Sequence, residues 1–87
     1  KYGMLRKTFL KENRAGWYQG MMLEGKLDSH LADIEEAAAE RMEALVERLL
    51  ERYPAPDKGK DPLAWAAHMN SLTAMAEESV LQELVYS

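Results

Sequence analysis

Four cationic side chains near the start of the chain are the strongest candidates for binding chemistry: Arg6, Lys7, Lys11 and Arg14. Lys7, Lys11 and Arg14 follow the spacing i, i+4 and i+7, so a helix would place them on one face. A row of such charges can neutralise phosphates without reading base sequence. The pattern is therefore typical of a modest, non-specific nucleic-acid contact, although a row of cations on a helix is more often only a solvated surface.

The distribution of charge qualifies that interpretation. The chain has 87 residues and a net charge of −4. Residues 1–26 carry six cations and two carboxylates, whereas the remaining 61 residues carry five cations and thirteen carboxylates. Packed helices lie about one Debye length apart at physiological salt, so the acidic part would offset the attraction to phosphates. Only cations that point away from the acidic helices could hold nucleic acid.

A second candidate surface follows the cations directly and is apolar. It consists of Trp17, Tyr18, Met21 and Met22. Methionine-rich surfaces adapt well to protein partners, although aromatic and methionine side chains in a small helical protein are more often part of the core. We interpret the four residues as a candidate partner surface, and base stacking by the two aromatic rings as a weaker alternative.

Residues for catalysis are scarce. His30 and His68 are the only histidines, and neither has a nucleophile or a set of metal ligands at helical spacing. His30 with Asp33 could supply two metal ligands at most. The chain contains no cysteine and no glycine-rich phosphate loop. The sequence therefore predicts a protein that is not an enzyme, without catalytic residues, a cofactor or a bound metal.

The elements that position these residues are predicted to be helices. Residues 27–53 contain no glycine or proline and repeat apolar residues every three or four positions. Residues 62–85 show the same apolar repeat and begin at Asp61–Pro62, a favourable helix start. The stretch YPAPDKGKDP between them breaks regular structure. With a first helix over 3–24, we predict an all-α three-helix bundle, with the second and third helices antiparallel, in a single domain spanning 1–87.

The first helix is the ambiguous element. Leu5, Phe9, Gly16 and Gly20 share one stripe, which favours an unbroken helix that ends at Gly25 and packs closely against another helix through its glycines. The alternative is a break near residues 13–16, which would produce a fourth short helix. Either form carries more apolar surface than two other helices can cover, so part of it is expected to meet a second subunit or a further segment.

Three stretches carry a family resemblance: KYGMLRKTFLKENR, LEGKLDSHLADIEEAA and LAWAAHMNSLTAMAEESVLQELVYS. In this order they resemble the transposon-encoded TnpV family, small proteins carried by mobile elements of gut Firmicutes. The opening KYGMLRKTFLKE and the closing ELVY are the most specific parts. The resemblance implies a further segment before Lys1, and it supplies no catalytic motif.

Taken together, these observations predict an accessory or regulatory protein of a transposon or conjugative element that acts by binding. If nucleic acid is its target, the contact surface for DNA would be Arg6, Lys7, Lys11 and Arg14. The alternative is a protein–protein interaction module that forms a homodimer or docks a transposition partner. No apolar run reaches the roughly 20 residues of a membrane span, so we expect a cytoplasmic protein.

Overall fold

The computed structural model describes residues 1–87, and every regular element is helical. The helices are α1 (Tyr2–Asn13), α2 (Ala15–Leu23), α3 (Leu27–Arg52) and α4 (Pro62–Val80), and α4 continues into a π-helical turn (Leu81–Val85). The all-α prediction is confirmed. The molecule measures 55 × 19 × 19 Å, and none of its helices combines the length and apolarity needed to cross a bilayer.

α3 is the element on which the others pack, and its predicted bounds agree with the structure within a residue. It has 26 residues and is therefore about 39 Å long. α4 runs antiparallel to it, as predicted. His68 Nε2 donates to the Tyr53 carbonyl at 2.7 Å near one end of this hairpin, and Arg41 Nε donates to Glu83 at 3.3 Å toward the other.

The start of α4 follows from two adjacent residues. The Asp61 carboxylate accepts a hydrogen bond from the Ala64 amide at 3.0 Å, and Pro62 occupies the first helical position. An N-cap acceptor and a proline whose missing N–H has no role there both favour a helix at this point. In the preceding loop, the Asp57 carboxylate accepts from the amides of Gly59 and Lys60. The predicted helix start is confirmed.

The π-helical turn changes which side chain is buried at the end of the chain. The Tyr86 amide donates to the Leu81 carbonyl at 2.8 Å, a separation of five residues instead of four. Because this turn is wider, Val85 takes the buried position that follows Val80, and both are fully buried. A regular α-helix would place Leu84, four residues after Val80, in that position, and Leu84 is only half-buried.

The first helix is broken, so our preference for one helix over 3–24 was wrong and the alternative with four helices is the correct one. Arg14 has φ −139° and ψ 51°, outside the helical region, and separates α1 from α2. Just before it, the Asn13 side chain donates to the Phe9 carbonyl at 3.2 Å. Asparagine and the following Gly16 both have low helix propensity, which lowers the cost of interrupting the helix here.

The end of α2 was predicted correctly. Gly25 has a φ of +70°, which glycine adopts without strain. The Gly25 amide donates to the Met22 carbonyl at 3.1 Å, and the Lys26 amide donates to the Met21 carbonyl at 2.9 Å. This pair of bonds is a Schellman motif, which satisfies the last carbonyls of α2 and turns the chain toward α3.

α1 packs through a different face from the predicted one. Its buried residues are Gly3, Arg6 and Leu10. Gly3 makes the close helix approach, because a Cβ added there would lie 3.0 Å from the Leu31 carbonyl oxygen of α3. Apart from the backbone of α2 itself and the adjacent residues, no atom lies within 4 Å of such a Cβ at Gly16 or Gly20, so the predicted packing through those two glycines was wrong.

Alanine substitutions at two glycines should therefore have opposite effects. Gly3→Ala should lower the free energy of unfolding by about 1–2 kcal/mol, because the methyl group pushes α1 away from the backbone of α3. Gly20→Ala, in a helix with open space around it, should raise that free energy by up to about 1 kcal/mol. Urea unfolding followed by circular dichroism measures both, and equal effects would contradict the packing described.

Candidate functional site

Three of the four predicted cations form an exposed basic surface, which we define as Lys7, Lys11 and Arg14. Lys11 and Arg14 are exposed and Lys7 is half-buried. None of the three belongs to any of the chain's four ion pairs. Lys11 Nζ lies 5.7 Å from the centre of the Tyr18 ring, so the cation also contacts an aromatic face of α2. The charge of this surface is therefore not neutralised within the molecule.

Arg6 does not belong to the basic surface, which corrects the predicted contact set. Its side chain is buried, with only 5% of the residue exposed. Arg6 Nη1 donates to the carbonyl oxygens of Val85 at 3.0 Å and Ser87 at 2.8 Å. A guanidinium held by two carbonyls inside the protein is not available to a phosphate.

Arg6 instead joins three parts of the fold. Its Nε donates to His30 Nε2 on α3 at 3.2 Å, and its guanidinium carbon lies 5.4 Å from the centre of the Trp17 ring and 5.7 Å from that of Phe9. The Phe9 ring also packs on Tyr86, with centroids 5.7 Å apart. Arg6 thus fastens the C-terminal turn to α1 and α3 with charge-assisted hydrogen bonds. Arg6 lies three residues after Gly3 and four residues before Leu10. This helical spacing was the sequence signal that Arg6 shares a face with these two residues.

His30 is held in its neutral form by these contacts. Because Arg6 donates to Nε2, that nitrogen carries no proton, and the neutral ring has its proton on Nδ1. Burial lowers the pKa of His30, and the charge of Arg6 lowers that pKa further, against a smaller opposing effect of Asp33. His30 also meets Trp17 edge-on, with ring centroids 5.4 Å apart. A protonated His30 would weaken the junction between α1, α2 and α3.

This arrangement predicts a loss of stability in mild acid. Below about pH 6.5, the usual histidine pKa, His30 binds a proton in the unfolded chain but not in the folded protein. The free energy of unfolding therefore falls as the pH decreases toward the lowered pKa of folded His30. Urea unfolding between about pH 7 and pH 5 measures the slope, and His30→Gln should reduce it. An identical pH dependence in the variant would contradict the assignment.

The second predicted surface lies on α2 and is open to solvent. We define the α2 surface as the predicted Trp17, Tyr18, Met21 and Met22 together with Leu23. Trp17 is 50% exposed, Met22 55% and Leu23 89%, and the other two are half-buried. None of the nine residues of α2 is buried. Sequence reasoning missed Leu23, although it directly precedes the predicted helix end.

Two aromatic side chains of α2 contact the rest of the protein: Trp17 meets His30 and Arg6, and Tyr18 meets Lys11. A shallow groove of about 320 Å³ runs along Tyr18, Met22 and Leu23. All nine residues of this mostly apolar helix remain at least partly exposed, which is unusual unless a partner covers them.

The remaining candidates do not assemble into a site. His30 Nε2 is engaged by Arg6, and no group of three or more potential metal ligands exists in the chain. His68 contacts the end of α3. Five glutamates of α3 form an exposed line without ion pairs, consistent with a solvated face: Glu36, Glu40, Glu43, Glu47 and Glu51.

Comparison with known proteins gives one match. The model of a family described as transposon-encoded protein TnpV matches residues 1–85, nearly the whole chain. No curated protein and no solved structure matches it. The matched range includes both the basic surface and the α2 surface. The chain therefore belongs to the family of the transposon-encoded protein TnpV.

Proposed function

We propose that this protein is a non-enzymatic accessory protein of a mobile element and that it acts by binding another protein through the α2 surface. Membership of a transposon-encoded family supports the association with a mobile element. Both histidines are engaged in holding helices together, through Arg6 and through the Tyr53 carbonyl, which supports a role other than catalysis.

The observation that carries the proposal is the exposure of α2. It is a helix of mostly apolar residues, yet none of its side chains is buried. Interfaces between proteins are enriched in tryptophan, tyrosine and methionine, and the α2 surface contains all three. A partner that covers Trp17, Met22 and Leu23 would remove from water the apolar area that this chain leaves exposed.

Charge substitution on this surface tests the proposal. Tagged protein is purified from a host that carries the element, and a partner retained by the wild type should be lost by Leu23→Asp. Leu23 is 89% exposed, so its replacement should leave the circular dichroism spectrum and the thermal midpoint unchanged.

The matched control is Leu63→Asp, at a similarly exposed leucine (84%) in the first turn of α4. This variant should retain the partner. Equal retention by the wild type and by Leu23→Asp would contradict the proposal, as would loss of the partner in both variants.

DNA binding is a second candidate function, favoured by the absence of ion pairs at the basic surface. Because Arg6 is buried, three phosphate contacts are available, and the logarithm of the association constant should fall with the logarithm of salt concentration with a slope of about −2.7. Fluorescence anisotropy of a labelled duplex between about 50 and 200 mM salt measures it.

Single substitutions separate this surface from other cations. Lys11→Ala should reduce the magnitude of the slope by about 0.9, whereas Lys60→Ala, in the loop before α4, should leave it unchanged. Absence of binding at the lowest salt, or equal effects of the two variants, would exclude DNA as the target of the basic surface.

A further inference from the structure

α1 covers the α3–α4 hairpin over only part of its length. It has 12 residues, about 18 Å, against about 39 Å for α3. α1 donates hydrogen bonds to α3 at His30 and at Glu35, both in the N-terminal half of α3. C-terminal to Ala38, no residue of α3 is buried. The C-terminal half of α3 therefore keeps apolar surface that no other helix of this chain fully covers.

A groove between α3 and α4 lies in this region. It has a volume of about 310 Å³. Leu45 and Leu49 of α3 and Met75 of α4 supply its apolar lining. Met75 is 48% exposed, although methionine is mostly buried in folded proteins. The groove thus exposes apolar side chains from both helices of the hairpin.

The charge of the groove is positive only. None of its seven lining residues is acidic, and its two charged side chains are Arg48 and Arg52. Both arginines are exposed, and neither forms an ion pair. The guanidinium carbon of Arg52 lies 5.6 Å from the centre of the Tyr53 ring, a contact that leaves its positive charge without a counter-ion. The groove therefore combines an apolar lining with two uncompensated cations.

Arg41 shows how an arginine on the same edge of α3 is paired. It precedes Arg48 by seven residues, about two helical turns, and so lies on the same edge. Arg41 Nε donates to the carboxylate of Glu83, in the C-terminal turn, at 3.3 Å. Beside Arg48 and Arg52, by contrast, α4 presents no carboxylate to the groove. An occupant with two carboxylates would extend the pairing that Arg41 and Glu83 begin.

We propose that this groove binds an acidic amphipathic helix of another protein. The apolar face of that helix covers Leu45, Leu49 and Met75, and two carboxylates one turn apart pair with Arg48 and Arg52. Residues four apart are separated by about 6 Å along either helix, so acids at i and i+4 match the spacing of the two arginines when the helix lies along α3. An amphipathic helix laid into an apolar groove is a common mode of peptide recognition.

The lining of the groove favours such a helix over other anionic partners. Phosphates of a nucleic acid could pair with the arginines but would leave the three apolar side chains in water. A second copy joined groove to groove would set arginine against arginine, and like charges repel. The groove lies along the C-terminal half of α3, whereas the α2 surface precedes its N-terminus. The proposal therefore does not rest on the partner of the α2 surface.

A displayed library of helical peptides tests the groove. The peptides have about 18 residues, or five turns, with leucines fixed along one face and the other positions randomised. Selection against the wild type should enrich peptides with two acids one turn apart beside the leucines. Fluorescence anisotropy of a labelled, enriched peptide then gives its dissociation constant for the wild type and for the variants.

Substitutions in the groove should weaken this binding. Arg48→Glu/Arg52→Glu should raise the dissociation constant by about tenfold, because two attractions become two repulsions, and Arg48→Gln/Arg52→Gln should raise it by about threefold. Both arginines are exposed, so the circular dichroism spectra should not change. Met75→Glu should also weaken binding, whereas Leu23→Asp, on α2, should not. A peptide with its two acids replaced by lysine should bind the double glutamate variant better than the wild type.

Several results would overturn the proposal. Selection that enriches no peptide, or only peptides without the two acids, excludes an acidic helix as the occupant. An unchanged dissociation constant in both folded double variants excludes this groove, and loss of binding in Leu23→Asp alone places the peptide on α2. Displacement of the peptide by a DNA duplex would assign the arginines to phosphates. A dimer in light scattering that Arg48→Glu/Arg52→Glu abolishes would make a second copy the occupant.

Discussion

Replacement of Arg6 by alanine is expected to lower the free energy of unfolding by about 3 kcal/mol, the largest effect of any charged residue in the chain. The change removes two charge-assisted hydrogen bonds, to the carbonyls of Val85 and Ser87, and the bond to His30. Each such bond contributes about 1.5–3 kcal/mol, and the carbonyl of Val85 would remain inside the protein without a partner. Small domains are stable by about 5–15 kcal/mol, so a large share of the total would be lost.

Urea unfolding followed by circular dichroism measures this effect, and the neighbouring lysine provides the control. Lys7→Ala removes a cation that forms no ion pair and should change stability by less than about 0.5 kcal/mol. Arg6→Lys should have an intermediate effect, because lysine keeps the charge but lacks the fork that reaches α3 and the C-terminal turn together. An Arg6→Ala variant as stable as Lys7→Ala would contradict the buried position of Arg6.

Leu10→Ala should have an effect of similar size. Leu10 is fully buried on α1, and replacement of a buried leucine by alanine costs about 2.7–5 kcal/mol, through lost transfer energy and the cavity that remains. The same unfolding experiment measures it. The result bears directly on which face of α1 is buried, because Leu10 lies on the stripe of Gly3 and Arg6.

Leu23→Ala is the matched control for this prediction. Leu23 occupies the end of α2 and is 89% exposed, so the same chemical change should alter stability by less than about 0.5 kcal/mol. Equal losses in Leu10→Ala and Leu23→Ala would mean that α2 is part of the core, contrary to the structure.

The second half of the fold could be predicted from the sequence with good accuracy. α3 contains neither glycine nor proline and keeps one apolar stripe, so its ends agree with the structure within a residue. Asp61 and Pro62 define the start of α4 by local chemistry alone, and Gly25 does the same for the end of α2. In each case the signal lies in adjacent residues and does not depend on tertiary packing.

The first half was harder because its decisive contacts are between distant residues. The helix register allowed either an unbroken helix or a break, and the stripe containing Leu5 and Phe9 left Arg6 outside the predicted packing face. Arg6 is buried because the C-terminal turn supplies two carbonyls, 79 and 81 residues away in the chain. That turn is itself π-helical, a shift of register that no local pattern in the sequence indicates.

The two candidate surfaces also combine features that the sequence predicts with features that depend on contacts between distant residues. The sequence identified Lys7, Lys11 and Arg14, and the apolar residues of α2, by type and spacing. It did not separate Arg6 from its neighbours, because the burial of Arg6 depends on the distant C-terminal turn. It could not reveal that α1 stops short of the groove beside Met75, because that depends on how far α1 reaches along α3.

Site-specific photo-crosslinking in a host that carries the element decides whether α2 is a binding surface. A photoreactive residue at position 23 should give a discrete crosslinked product with a protein, whose mass distinguishes a second 9.9 kDa copy from another partner. The same residue at position 63, equally exposed on α4, should give no such product. Absence of a product at position 23, or identical products at both positions, would show that α2 is not the binding surface.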